Sequence, residues 1–234
     1  CKPFAKKIAT TFPECAAALG AKAEMTGTPL RPELFSGKRE EGLRLCGFSG
    51  EKPILMMMGG SLGAQKVNEA LRGALPRLLE KMDVVHITGK GNLDESLLDV
   101  KGYCQKEFLS AEMADALAVA DLVLSRAGSN TLSELLALHK PMLLVPYPLG
   151  ASRGDQIQNA KSFQKQGLAR VLMQEDVDRL QHQLHTQLTA LEYDVLMARL
   201  TDCSYKQIAA RLGVSTKTVD NAVQRLRRKL SPTH

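Results

Sequence analysis

Twice in this chain an apolar run of strand length breaks into a glycine-rich turn and reopens at once as a helix, and this repeated unit constrains the fold more than any other feature. Pro53-Ile54-Leu55-Met56-Met57-Met58 runs into Gly59-Gly60-Ser61-Leu62-Gly63-Ala64, after which Val67, Leu71, Leu75 and Leu78 recur at helical spacing. Leu122 to Leu124 runs into Ser125-Arg126-Ala127-Gly128-Ser129-Asn130-Thr131-Leu132-Ser133-Glu134. In this second turn Gly128 lets the backbone approach a ligand, and Ser129, Asn130 or Thr131 is placed to cap the new helix. Free N–H groups and the positive end of the helix dipole then face whatever sits above the strand. The turn reads either as an anion seat or as an ordinary capped βα turn. The first turn lacks the later acidic residue of a dinucleotide fingerprint and the Gly-Lys-Ser/Thr of a P-loop. Together the two turns imply a generic phosphate or nucleotide cradle.

The stretch around them alternates as a parallel sheet demands. Strands are predicted at Pro53 to Met58, Asp83 to Ile87, Tyr103 to Phe108, Asp121 to Leu124, Met142 to Val145 and Ala169 to Met173. Helices are predicted at Ala64 to Lys81, near Leu93 to Leu98, at Glu112 to Val119, Asn130 to Leu138 and Gln156 to Gln166. Such alternation means an α/β, Rossmann-like doubly wound parallel sheet whose ligands sit at the carboxyl ends of its strands. Both glycine turns, Thr88-Gly89-Lys90-Gly91 and Pro146-Tyr147-Pro148 fall at that edge.

Composition, 44% hydrophobic and 24% charged over 234 residues, places the chain in the soluble class. Its five cysteines, Cys1, Cys15, Cys46, Cys104 and Cys203, are scattered without a C-x-x-C pair, which argues for reduced thiols in a cytoplasm and against a zinc site. His182 and His185 stand three apart with no ligand cluster beside them, so no metal and no cofactor is expected. No apolar run spans a bilayer and no signal peptide is read. Charge is uneven: residues 188 to 234 hold +4 of the formal +6, pointing to an acidic partner for that segment alone.

Gly59-Gly60-Ser61-x-Gly63-Ala64, Thr88-Gly89-Lys90, Ala120-Asp121, Arg126-Ala127-Gly128, Thr131 with Glu134, Pro141, Val145-Pro146 and Asp155-Gln156 with Asn159-Ala160 occur in the order seen in the MurG family. Residues 1–175 resemble the donor-binding half of those UDP-N-acetylglucosamine transferases, one half of a GT-B fold, with an interdomain linker remnant over 1–50. Thr26-Gly27-Thr28-Pro29-Leu30-Arg31 resembles the segment joining the family's two halves, with Thr28 replacing an asparagine. The resemblance implies UDP-N-acetylglucosamine as partner. Gly60, Ser61 and Gly63 would meet its diphosphate with Arg31 nearby, and Phe108 and Leu109 would flank the uracil. Arg126, Gly128, Ser129, Asn130 and Thr131 would line the nucleotide, and Glu134 would accept hydrogen bonds from the ribose. Gln156, with Asp155 and Asn159, would lie at the sugar. Asp155 stands where many relatives have a second glutamine, and an extra residue lies between Leu109 and Met113. The half that binds the lipid-linked muramyl-pentapeptide acceptor, carries the base and touches the inner membrane face is expected to be absent, giving binding without turnover.

The last stretch belongs to something else. Ile208, Ala209, Leu212, Val214, Val219 and Ala222 fall where two helices of a helix-turn-helix meet, and Ala190 to Leu200 supplies Leu191, Val195, Leu196 and Leu200 to complete a three-helix core. A small helical bundle without DNA is the plainer alternative. Leu188-Thr189-x-Leu191-Glu192, Ser204-Tyr205-x-x-Ile208-Ala209 and Lys217-Thr218-Val219-Asp220-Asn221-Ala222-x-Gln224-Arg225 resemble the promoter-reading C-terminal domain of sigma-70-class factors, the sigma-H type most closely. That likeness places Ser215, Thr216, Lys217, Asn221 and Gln224 at base edges or phosphates of promoter DNA, and Arg225, Arg227, Arg228 and Lys229 at phosphates, with RNA polymerase a further partner. Residues 1–175, a junction at 176–187 and residues 188–234 are therefore expected to be a donor-binding domain, a linker and a DNA-binding head. A natural fusion, in which a nucleotide-sugar sensor controls DNA binding, competes with a chance join of gene fragments. The second is favoured because each part lacks its complementary half.

Overall fold

β3 (Ile54–Met58) is apolar throughout because both of its faces are covered: Ile54 and Met56 enter one core, Leu55 and Met57 another. Around it the chain runs β1 (Ile8–Thr10), α1 (Pro13–Leu19), β2 (Ala23–Met25), α2 (Arg39–Cys46), β3, α3 (Gln65–Lys81), β4 (Asp83–Ile87), β5 (Tyr103–Lys106) and α4 (Met113–Val119). It continues through β6 (Leu122–Ser125), α5 (Ser129–Ala137), β7 (Met142–Leu144), α6 (Asp155–Lys165) and β8 (Ala169–Val171). A helical stretch over 174–179 (α7) follows, then α8 (Ala190–Leu200), α9 (Tyr205–Leu212) and α10 (Thr216–Leu230). The computed structural model describes residues 4–59, 64–150, 154–179, 188–200 and 203–230. His182 and His185, in the expected junction, lie outside them.

Six strands form one parallel sheet in the order β5-β4-β3-β6-β7-β8. Register keeps the two cores apart, since Leu55 sits beside Val84 in one and Met56 beside Val85 in the other. α3 covers the first face through Val67, Leu71 and Leu75, while α4, α5 and α6 supply Leu117, Leu132, Leu135 and Phe163 to the second. The predicted doubly wound α/β sheet is what forms, with β5 and β8 two residues shorter at their ends than expected.

Residues 4–50, part of the expected linker remnant over 1–50, carry more structure than their sequence announces. β1 and β2 pair in parallel as a separate two-stranded sheet, and α2 packs on α4. Three-residue strands are too short to display a period, and Gly42 breaks the helical sequence pattern of α2 in the way a loop residue would. That glycine is there for contact: a methyl on it would collide with the Asp115 carbonyl of α4, and one on Gly37 with the Ala114 carbonyl. The stretch near Leu93 to Leu98 is a single 3-10 turn, Glu95–Leu97, capped by Asp94.

α8, α9 and α10 enclose a third core of Val195, Ile208, Ala209, Val219, Ala222 and Leu226, with Leu191, Leu212 and Val214 packed at its margin. α9 opens with a capping box between Ser204 and Gln207 and closes on left-handed Gly213, and the Ser215 hydroxyl accepts the Thr218 N–H at the start of α10. The three predicted helices form, while the side chains of Leu196 and Leu200 lie outside those described.

Candidate functional site

β3 and β6 are neighbours at the centre of the sheet, and the order runs outward from them in opposite directions, through β4 to β5 and through β7 to β8. Such a switch point opens a crevice outside the strands' carboxyl ends, and both glycine turns leave from it. Gly60, Ser61 and Gly63 lie outside the described residues. The turn after β6 is described completely.

That turn is built by backbone. Gly128 holds the N-cap position of α5 at φ −70° and ψ 136°, and no side chain caps the helix. The expectation that Ser129, Asn130 or Thr131 caps it is therefore corrected: α5 has already begun at Ser129, so those side chains stand past the position from which a cap is made. Gly128 has an ordinary negative φ, and a Cβ added to it would meet only Thr131 Oγ1 at 4.0 Å. Space alone does not require glycine there, and the N-cap position only prefers it over alanine, whereas a ligand resting on the helix start would exclude a side chain outright.

The long side chains expected to line this turn brace it from behind. Arg126, 7% exposed, donates through one guanidinium nitrogen to the carbonyls of Val145 (3.0 Å) and Pro146 (3.4 Å) and to Gln174 Oε1 (2.7 Å), and it lies 4.1 Å from the centre of the Tyr147 ring. Burial pulls its pKa below the usual guanidinium range, with Tyr147 opposing. Gln156 Oε1 accepts from the backbone N–H groups of Ala127 and Tyr147, both at 3.3 Å, and Asn159 donates to the Ala127 carbonyl at 3.0 Å. α6 thus ties the β6 turn to the loop after β7. Asp155, its first residue, is exposed.

At the rim, Phe108 is 68% exposed beyond the end of β5, while Leu109 packs against the core behind it. Glu134 lies in the second turn of α5 and is already engaged: Arg31 donates to its Oε1 from Nε (3.2 Å) and from a terminal nitrogen (3.0 Å). Arg31 and Glu134, assigned by resemblance to different parts of one ligand, meet each other in the structure.

Two supports were not legible in the sequence. Gln174, having accepted from Arg126, donates to Asp178 Oδ1 at 3.0 Å, and Lys66 donates to Asp178 Oδ2 at 2.7 Å. This relay runs through α7 from the β6 turn to the first turn of α3, and the Lys66 ammonium, with Gln174, holds the Asp178 carboxyl below its ordinary range. Beneath the β4 turn, His86 is fully buried between Tyr103 (2.6 Å) and Asn68 (3.0 Å), and Asn68 donates to the Thr88 carbonyl at 2.8 Å. Burial, with the nearby Arg72 charge, pushes the His86 pKa down to about 3, so the ring is neutral. The available signal was a polar residue, Asn68, on the apolar stripe of α3. Gln174 and Asp178 belong to no motif.

α10 divides its polar residues between two directions. Arg225 and Lys229 turn inward to Glu192, whose side chain is 1% exposed, at 2.8 and 2.7 Å. Glu192 also accepts the Thr189 N–H, and Lys229 first, with that N–H and Arg225, brings its pKa down to about 2. Of the four cations expected at phosphates, these two hold α10 onto α8. Lys217, Asn221, Gln224 and Arg228, at intervals of four, three and four, form an exposed stripe opposite Val219, Ala222 and Val223, with Thr216 and Arg227 also exposed and Ser215 exposed just before the helix. Among the described residues no cluster of histidine, cysteine and acidic side chains could hold a metal, and no helix is long and apolar enough to cross a membrane.

This Rossmann-like parallel sheet has the architecture of one half of a GT-B fold. The pattern of the glycosyltransferase family 28 C-terminal domain matches residues 54–211, and the chain belongs to that family. It is 55% identical over 176 residues to the UDP-N-acetylglucosamine–N-acetylmuramyl-(pentapeptide) pyrophosphoryl-undecaprenol N-acetylglucosamine transferase of Geobacillus thermodenitrificans, covering 75% of this chain and 49% of the relative. Against the Clostridium botulinum enzyme of the same name it is 49% identical over 177 residues, covering 75% and 50%. The chain spans about half the length of the relatives it matches. Among solved structures, Acinetobacter baumannii MurG superposes with a TM-score of 0.57 at 21% identity over 95% of this chain and 61% of that one. A kitacinnamycin glycosyltransferase gives 0.53 at 18% identity over 87% and 49%. Both share the fold. The family match ends at Arg211, inside α9, so it takes in α8, which the sequence reading assigned to a separate head.

Proposed function

We propose that the sheet unit, residues 1–175, binds UDP-N-acetylglucosamine at the switch point and is the donor-binding part of a transferase that glycosylates a lipid-linked muramyl-pentapeptide. The observation that carries this reading is the meeting, at one sheet edge, of a helix start that no side chain caps, over a glycine with open space at its Cβ position, an exposed aromatic, Phe108, and a carboxylate, Glu134. The names of its relatives supply the donor. In this reading Gly60, Ser61 and Gly63 hold the diphosphate, Phe108 and Leu109 the uracil, the α5 start from Gly128 to Thr131 the nucleotide and Glu134 the ribose diol. Arg126, Gln156 and Asn159 act by holding the turn, and Asp155 faces the sugar. Binding is the property assigned to these residues. Calorimetry tests it: Glu134→Ala is expected to weaken UDP-N-acetylglucosamine binding by about 1–3 kcal/mol. A preference for an adenine nucleotide sinks the reading.

A second reading applies to residues 188–234, joined through 176–187. The exposed stripe of Lys217, Asn221, Gln224 and Arg228 on a capped helix supports a promoter-DNA reader of the sigma-factor type, which would make the whole chain a DNA-binding regulator with a nucleotide-sugar sensor. The family match reaching Arg211 weighs against it. At low salt, duplex binding is expected to lose about one unit of salt slope in Arg228→Ala and sequence preference in Gln224→Ala. A folded chain that ignores duplex DNA returns the segment to a plain helical bundle.

A further inference from the structure

Glu134 is the side chain to which the proposed function gives the ribose, yet its carboxylate oxygen already carries two hydrogen bonds from one guanidinium. Its side chain is only 16% exposed, so a ribose has little room to reach it beside that guanidinium. Arg31, by contrast, is 61% exposed and can swing away without leaving a buried vacancy. We propose that Arg31 is a specificity-determining residue of the donor site: it is an internal competitor for Glu134 that sets how much a ribose diol contributes to binding. The inference rests on the ribose assignment of Glu134.

The chemistry follows from the count of partners. A ligand with vicinal hydroxyls can offer Glu134 two donors in place of the two it gives up. A ligand lacking them leaves the Arg31–Glu134 pair intact and gains nothing from it. Because the pair is largely exposed on the arginine side, it is a weak competitor, of a size that two hydroxyls can overcome.

The test uses the whole chain and two neutral probes, uridine and 2′,3′-dideoxyuridine, titrated by ligand-observed NMR against wild type, Arg31→Ala and Glu134→Ala. Arg31→Ala is expected to bind uridine about two- to five-fold more tightly and dideoxyuridine unchanged, the range set by an exposed ion pair. Since uridine is uncharged, added salt should tighten its binding to wild type by screening the pair and leave Arg31→Ala unaffected. Unchanged or weaker uridine binding by Arg31→Ala, with binding still lost in Glu134→Ala, overturns the competitor while keeping the ribose site. Equal uridine binding by wild type and Glu134→Ala overturns the ribose assignment and the competitor with it.

Discussion

Around the turn after β6 the long polar side chains point inward, Arg126 to two carbonyls and Gln174, Gln156 to two N–H groups, while backbone faces the crevice. On α10 the arrangement is reversed: Arg225 and Lys229 turn in to Glu192, while the outer face is a stripe of side chains on a regular helix. A backbone-built site fails when its props are removed, because geometry is what it offers. A side-chain surface on a stable helix loses one contact at a time. The two units of this chain should therefore answer mutation differently.

The largest effect is expected at Arg126. Truncation to alanine strips two carbonyls and Gln174 of a buried cationic donor, which should cost about 2–4 kcal/mol. Urea unfolding measures it, and the nucleotide response should fall further than stability alone explains. A cost below about 1 kcal/mol would mean that the turn does not depend on its brace.

Next comes Glu192→Ala, expected to cost the three-helix unit about 1.5–3 kcal/mol in charge-assisted hydrogen bonds. Hydrogen exchange in α10 should rise while β3 and β4 keep their protection. Loss of protection in the sheet would show the two units to be one cooperative body and would break the comparison.

Acid separates the units more finely. His86 has a folded pKa of about 3 against an ordinary 6.5, so the unfolded chain takes up its proton first and the sheet unit loses stability as pH falls from 6.5 towards 3. The slope is at most about 1.4 kcal/mol per pH unit. Glu192, lowered from 4.5 to about 2, gives stability that is complete above 4.5 and lost below it. Between pH 6.5 and 4.5 only the sheet unit should weaken, as read by exchange at each unit, and His86→Gln should flatten that part of the profile.

What the sequence made legible follows the same division. The central strands showed because burial on both faces forces continuous apolar runs such as Ile54 to Met58. The helix starting at Thr216 showed because Ser215 and the spacing of Val219, Ala222 and Val223 are local signals. The ligand-facing positions were proposed from motifs, but the inward turn of Arg126 and the pairing of Arg31 with Glu134 depend on contacts 19 to 103 residues away in sequence. No periodicity carries that information. α2 was missed for the opposite reason, since Gly42, which permits its contact with α4, looks like a helix breaker when the partner is out of view.

The smallest effect on the fold, and the sharpest test of a backbone-built site, is expected at Gly128. Alanine is a poorer N-cap than glycine, which destabilises, but it also restricts the unfolded chain, which stabilises by about 0.4–1 kcal/mol where φ is already −70°. The two terms oppose each other and the added methyl meets only Thr131 Oγ1, so stability should change by no more than about 0.5 kcal/mol. A diphosphate resting on the helix start would meet that methyl directly, so UDP affinity should fall about ten-fold or more, roughly 1.4 kcal/mol. Calorimetry with UDP beside urea unfolding of the same variant separates the two quantities. Unchanged affinity would remove the anion seat from this turn and leave it an ordinary βα connection, with recognition returned to the side chains at its rim.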